Sequence, residues 1–208
     1  MESKFIYLLD AGHGGLINGK YVTSGKRSPI WEDGTVYYEG VGNREIRKHL
    51  AQMLEDEGIP YHLVSTGSED VSLTKRVNTI NSFCDMYGAS KCILISIHSN
   101  GFTNPQAEGW EVFTTKGTTK SDVCATITFE ETQKLFPDRK FRSDKKDGDV
   151  DKEANFQIIL GARCRAFLTE NFFHTNPYEC KEILMKDEGR KKIAKAHFNA
   201  ILRMEKEL

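Results

Sequence analysis

Cys92-Ile-Leu-Ile-Ser-Ile97, running on into His98-Ser99-Asn100-Gly101, decides the fold. The run is almost unbroken in its apolar character, without the alternation of a strand wetted on one face, so it describes a strand covered on both faces, as in parallel sheets. It ends by delivering a histidine into polar, glycine-containing chain. Working outward, the same grammar recurs. Residues 4–9 read as a strand that empties into Asp10-Ala11-Gly12-His13-Gly14-Gly15, where the glycines force a turn. A helix follows over 42–57, with Ile46, Leu50, Met53 and Leu54 on one face and Gly58 as its stop. A short strand is expected over 59–64 and a second helix over 71–86 through Leu73, Val77, Ile80 and Cys84. Beyond the central run come a strand over 110–114, a helix over 122–135 stopped by Pro137, and a strand over 163–169 that leads into Glu170-Asn171. Two closing helices occupy 179–186 and 189–206. The alternation predicts an α/β fold, a single twisted and mostly parallel sheet with helices on both faces, in one domain over residues 1–208.

Composition narrows the function classes. The chain carries 29 Lys+Arg against 30 Asp+Glu, a formal charge of −1, so it has no electrostatic footprint for nucleic acid or an anionic membrane surface. Its apolar runs fall far short of the roughly 20 residues that cross a bilayer, and no integral membrane association is expected. Asp10 interrupts the first apolar run, which leaves no export signal in this chain. Five cysteines without a C-x-x-C pair argue against a disulfide framework or a thiolate zinc site and fit a reducing compartment of synthesis. The final helix carries Ile193, His197, Ile201 and Met204 on one narrow stripe among mixed charges, which is the pattern of core packing and not of a membrane-active helix. The charge-dense segment 139–152 reads as a solvated loop.

Ligands of open α/β sheets lie outside the carboxyl ends of the strands. His13, His98 and Glu170 each follow directly after an expected strand, and Glu39 sits just before the first helix. Two histidines and a carboxylate that leave a fourth position open are a common catalytic zinc set, and another carboxylate nearby can act as general base. The residues alone leave blander readings standing: His13 as a turn residue, His98 as a hydrogen-bonded core histidine, Glu170 as a cap or surface ion pair. A phosphate-cradling role for Gly12-His-Gly-Gly is poor, since neither a Walker pattern nor G-x-G-x-x-G is present. His49, His62, His174 and His197 have no matching partner and read as structural. Residues 16–38 lack any period and form a long loop, structured or mobile.

These motifs together resemble the zinc-dependent N-acetylmuramoyl-L-alanine amidases of the amidase-3 family. Leu9-Asp10-Ala11-Gly12-His13-Gly14-Gly15 resembles the family's opening strand and first zinc histidine, and Glu39-Gly-Val-Gly-Asn43 its glutamate ligand followed four residues later by asparagine. Ser65-Thr66, Asp70, Leu73 and Arg76-Val77 resemble a further family segment, with Gly67 where an arginine is usual. Ile95-Ser-Ile-His98-Ser-Asn100 resembles the second zinc-histidine motif; Gly109-Trp-Glu-Val-Phe113 and Phe156-Gln-Ile-Ile-Leu160 also fit. Ala166-Phe-Leu-Thr-Glu170 through Asn176 resembles the strand bearing the catalytic glutamate and its downstream asparagine. The 26 positions from His13 to Glu39 exceed the family's usual spacing, so Glu32 and Asp33 compete as third ligand; Glu39 is retained for its relation to Asn43 and the helix start.

The resemblance implies a phosphorylase/hydrolase-like amidase fold, with Zn²⁺ held by His13, Glu39 and His98 and Glu170 as the catalytic base and then acid. It implies hydrolysis of the lactyl amide between N-acetylmuramic acid and L-alanine in peptidoglycan, a glycan-peptide substrate on whose sugar Trp31 and Tyr37 of the loop 16–38 could stack, a packing role for either being as good a reading. The rivals are a zinc peptidase cutting within the stem peptide and a peptidoglycan-binding module without turnover. The expected setting is a phage or prophage endolysin, a monomer made in the host cytoplasm that reaches the wall after release.

Overall fold

The computed structural model describes residues 3–145 and 148–208. In chain order the elements are β1 (Ile6–Ala11), the small hairpin β2 (Leu16–Ile17) and β3 (Lys20–Tyr21), α1 (Glu39–Glu57), β4 (Tyr61–Leu63) and α2 (Leu73–Tyr87). They continue with β5 (Cys92–Asn100), β6 (Glu111–Thr114), α3 (Lys120–Leu135), β7 (Lys152–Glu153), α4 (Gln157–Leu160), β8 (Arg165–Phe173), a π-helical turn at Glu179–Leu184 and α5 (Asp187–Glu207). Six strands form one sheet in the order β4-β1-β5-β8-β6-β7. β4, β1, β5 and β8 run parallel, and β6 is antiparallel to β8.

The unbroken apolar strands sit in the middle of this sheet, where each face needs a cover. On one face Tyr7, Leu9, Ile93, Ile95 and Phe167 pack against α1, α3 and α5 through residues such as Ile46, Leu50, Phe129 and Ile201. On the other, Leu8, Leu94, Ala166 and Leu168 meet Ile80 and Cys84 of α2 and Ile158 and Ile159 of α4. Each fully buried Leu or Ile contributes about 1.5–3 kcal/mol of transfer free energy, so the two faces supply most of the drive to fold. The α5 stripe of Ile193, His197, Ile201 and Met204 is buried as expected, and no described helix is long and apolar enough to cross a membrane. All five cysteines are free, four of them buried.

Two expectations need correction, and one left open is resolved. β5 and β8 do not stop at residues 97 and 169 but run on to Asn100 and Phe173, because His98 pairs in register with Glu170 and Asn171 Nδ2 donates to the His98 carbonyl at 2.9 Å. His98 and Glu170 therefore sit within strands. Residues 16–38 are structured and include the β2–β3 hairpin. The segment 139–152, of which 146 and 147 lie outside the described residues, is not simply a solvated loop. Buried Glu111 accepts from Arg142 Nε at 2.9 Å and from Lys152 Nζ at 2.7 Å. Asp151 is buried against the Thr114 hydroxyl, and β7 pairs with β6. Arg142, Asp151 and Lys152 thus have partners inside.

The most consequential buried charge is Arg76, which apolar periodicity leaves unnoticed. Its Nη1 lies 2.6 Å from Asp10 Oδ1 and donates to the Ala11 carbonyl at 2.7 Å, while Nη2 donates to the His13 carbonyl at 2.9 Å and Nε to that of Val71 at 2.9 Å. Asp10 Oδ2 accepts from Ser96 Oγ at 2.8 Å. Both ionic groups are at most 2 % exposed. Removing one partner strands the other charge, so Arg76→Ala is expected to lower unfolding free energy in urea by about 3–5 kcal/mol, against about 1 kcal/mol or less for an exposed pair such as Arg163–Asp85.

Candidate metal centre

β1 ends at the turn that carries His13, whose φ of 66° puts a non-glycine residue in the left-handed region. That conformation costs of order 1 kcal/mol or more. The His13 carbonyl is held by Arg76, and the turn before it by the Gly12 N–H, which donates to Ile97 O at 3.0 Å. Gly12 cannot be replaced cheaply: a Cβ there would stand 2.0 Å from the His98 ring. His98 comes from β5, next to β1, and Glu39 from the first turn of α1. The two imidazole rings meet edge to face, 5.0 Å apart at 87°.

Glu39 Oε1 lies 3.2 Å from His13 Nε2 and 3.1 Å from His98 Nδ1, and the three donor atoms all lie within 4.8 Å of one another. Two ligands about 2.0–2.2 Å from a tetrahedral zinc ion stand roughly 3.3 Å apart, so this donor set and spacing suit a divalent metal. Burial alone would raise the Glu39 carboxyl, but hydrogen bonds from both histidines outweigh it and hold Glu39 well below the usual carboxylate range. The same contact raises His98, against the opposing effect of its own burial.

Glu170 lies beside this group on the same cleft, of about 450 Å³. Burial pushes its carboxyl up to about 8; His98 opposes this, and the negative charges of Glu39 and Glu111 add to it. Glu111 stands directly opposite Glu170 on β6. Glu170 Oε2 is buried without a hydrogen-bond partner, an orphan acceptor facing no protein donor. Such a group can hold and release a proton near neutrality.

His13, Glu39, His98 and Glu170 are thus brought to one place. The competing carboxylates are not: Asp33 is tied to Thr35 and to Lys181 Nζ at 3.0 Å, and Glu32 is exposed and outside the donor group. Tyr37 is a core residue, not a stacking platform; its ring lies where a Cβ on Gly42 would meet the hydroxyl at 2.0 Å. Trp31 packs partly buried against the core, under Lys181. His49, His62 and His197 are structural, bonded to Asp187, Tyr87 and Thr169 at 2.8, 2.9 and 3.0 Å. His174 departs from expectation, for it lines the cleft with Nδ1 3.1 Å from the Ser99 carbonyl. Its place just beyond the strand carrying Glu170 was the one available signal. Asn43 is buried, its Nδ2 3.4 Å from the Gly12 carbonyl, and so ties α1 to the His13 turn.

Comparison with known proteins bears on the fold and the family. N-acetylmuramoyl-L-alanine amidase AmiA of Salmonella typhimurium is 30% identical over 160 residues, which are 76% of this chain and 47% of the relative. The chain spans about half the length of the curated relatives it matches. Among solved structures, an N-acetylmuramoyl-L-alanine amidase from Clostridium difficile 630 superposes with a TM-score of 0.76 at 23% identity, covering 99% of both chains. The catalytic domain of the CD27L endolysin, which targets Clostridia difficile, does so with a TM-score of 0.64 at 20% identity, covering 96% of this chain and 97% of that one. The family model for N-acetylmuramoyl-L-alanine amidase, Amidase_3, matches residues 8–203, and the chain belongs to that family.

Proposed function

We propose that this chain is a zinc-dependent N-acetylmuramoyl-L-alanine amidase, a monomeric single catalytic domain that hydrolyses the lactyl amide between N-acetylmuramic acid and L-alanine in peptidoglycan. The observation that carries the reading is the convergence of His13, Glu39 and His98 within 4.8 Å beside an orphan carboxylate, in a chain of this family. Zinc in such a site supplies a water acidified towards a pKa of about 7 and a positive charge for the amide carbonyl. Glu170 takes the proton of the attacking water and returns it to the amine of L-alanine as that amine leaves. Without the metal, both histidines hold Glu39 in its ionised form, the form in which it would serve as a ligand. His174, bonded to the Ser99 carbonyl, offers its other ring nitrogen to the cleft.

The setting we propose is lysis by a phage or prophage endolysin, made in the host cytoplasm and acting on the wall after release. What supports it is the fold shared with the catalytic domain of the CD27L endolysin. Expression in a bacterial cytoplasm is expected to leave cells intact until the membrane is permeabilised and then to clear the culture.

Purified sacculi treated with the zinc-loaded protein should release peptides with free N-terminal L-alanine and leave glycan strands without peptide, and a chelator should abolish both products. Cuts inside the stem peptide, read by mass spectrometry, would move the assignment to a peptidase. Glu170→Gln is expected to lower kcat by about 10²–10⁴-fold while zinc content stays at that of the parent. Gly12→Ala should instead leave a folded protein in which zinc content and turnover fall together, because the new methyl displaces the His98 ring.

A further inference from the structure

One wall of the cleft is a short stretch of chain pinned at both ends. Thr23 Oγ1 accepts from the Gly14 N–H at 2.8 Å and donates to Asp70 at 2.7 Å. Ser28 exchanges bonds with Tyr37, its N–H donating to the Tyr37 carbonyl at 2.8 Å and its Oγ accepting from the Tyr37 N–H at 2.9 Å. Between these anchors the Lys26 carbonyl accepts from the N–H of Glu39 itself at 3.0 Å. The backbone of Lys26 is therefore registered to a metal-ligand residue, with little freedom to drift. Its side chain is exposed and lines the cleft together with His13, Glu39, His98 and Glu170. Arg27, also on the rim, turns its Nη1 to the Ser28 carbonyl at 2.9 Å. Lys26 forms no ion pair among the described residues, and it lines the same cleft as Glu170 and His174.

A cation on a fixed stretch of backbone in a binding cleft, without an ion-pair partner among the described residues, suits an anion in the ligand. On the proposed amidase reading, on which this inference rests, the leaving amine must lie against Glu170 to receive its proton. The chain attached to that amine then leaves along the cleft that Lys26 lines. That chain is the stem peptide, whereas the N-acetylated glycan on the other side of the bond is uncharged. The stem residue after L-alanine is a glutamate joined through its side chain, and its main-chain carboxyl is either free or amidated. We propose that Lys26 is a specificity-determining residue that binds this free carboxylate, so that the enzyme prefers walls in which it is not amidated.

Two soluble probes differ only there: N-acetylmuramoyl-L-alanyl-D-glutamate and the corresponding D-isoglutamine compound. The parent protein is expected to show a kcat/KM about three- to tenfold higher on the acid, a preference that shrinks as salt is raised. Lys26→Met, a change at an exposed side chain, should raise KM for the acid by a similar factor and bring the ratio of the two probes towards one. Calorimetry with Glu170→Gln protein should show the same ratio in Kd without turnover. Equal handling of both probes by the parent would overturn the proposal, and so would a Lys26→Met variant that lowers kcat equally on both, which would make Lys26 an electrostatic partner of Glu170. In either case, cleavage of the probes at the lactyl amide leaves the amidase reading intact. If neither probe is cut by protein that opens stem peptides in sacculi, both readings fall together.

Discussion

Arg76 is the point on which the site depends. A guanidinium with almost no access to water must have every donor placed, and this one spends its donors on Asp10 and on the carbonyls of Val71, Ala11 and His13. The end of β1, the left-handed turn at His13 and the start of α2 are thereby tied to one side chain. Asp10 extends the tie to Ser96 on β5, two residues before His98. Breaking such a pair is costly because the remaining charge has no solvent to turn to. The position of the first histidine thus rests on a buried ionic network as well as on apolar packing.

The cleft itself is a balance of charges held close together. Glu39 is kept ionised by two imidazoles, and Glu170, lining the same cleft, is pushed towards its neutral form by burial and by its acidic neighbours. Two carboxyl groups of the same kind are driven apart in proton affinity by their surroundings alone, as suits one metal ligand and one proton carrier. Glu111 contributes to this from behind. It is buried, opposite Glu170, and bonded to Asn100, Arg142 and Lys152. The charge-dense segment after α3 therefore serves the interior of the site's rear wall.

Much of this was legible in the sequence, for identifiable reasons. Strands such as β5, apolar on both faces, and helices with a single buried stripe such as α1 announce themselves through periodicity. The donor residues could be placed because a mostly parallel sheet brings the ends of β1, β5 and β8 to one edge. What periodicity could not show was polar burial. Arg76, Glu111 and His174 are hydrophilic residues whose inward placement depends on partners distant in sequence. Strand ends were also misplaced: His98 and Glu170 look like loop residues by hydropathy, but their cross-strand pairing keeps them in the ladder. Tyr37 shows the opposite error, an aromatic residue in a polar loop that belongs to the core.

The order of the strands has a further consequence. The long, apolar strands lie in the centre, and the sheet closes at its two borders with β4, three residues long, and β7, only two. An exposed edge is a template for pairing with another chain, and its hazard grows with the length of free backbone it offers. Here a second molecule would find only a few backbone groups to engage before the chain turns away. The fold can therefore be held at high concentration without strands from different copies joining into a continuous sheet.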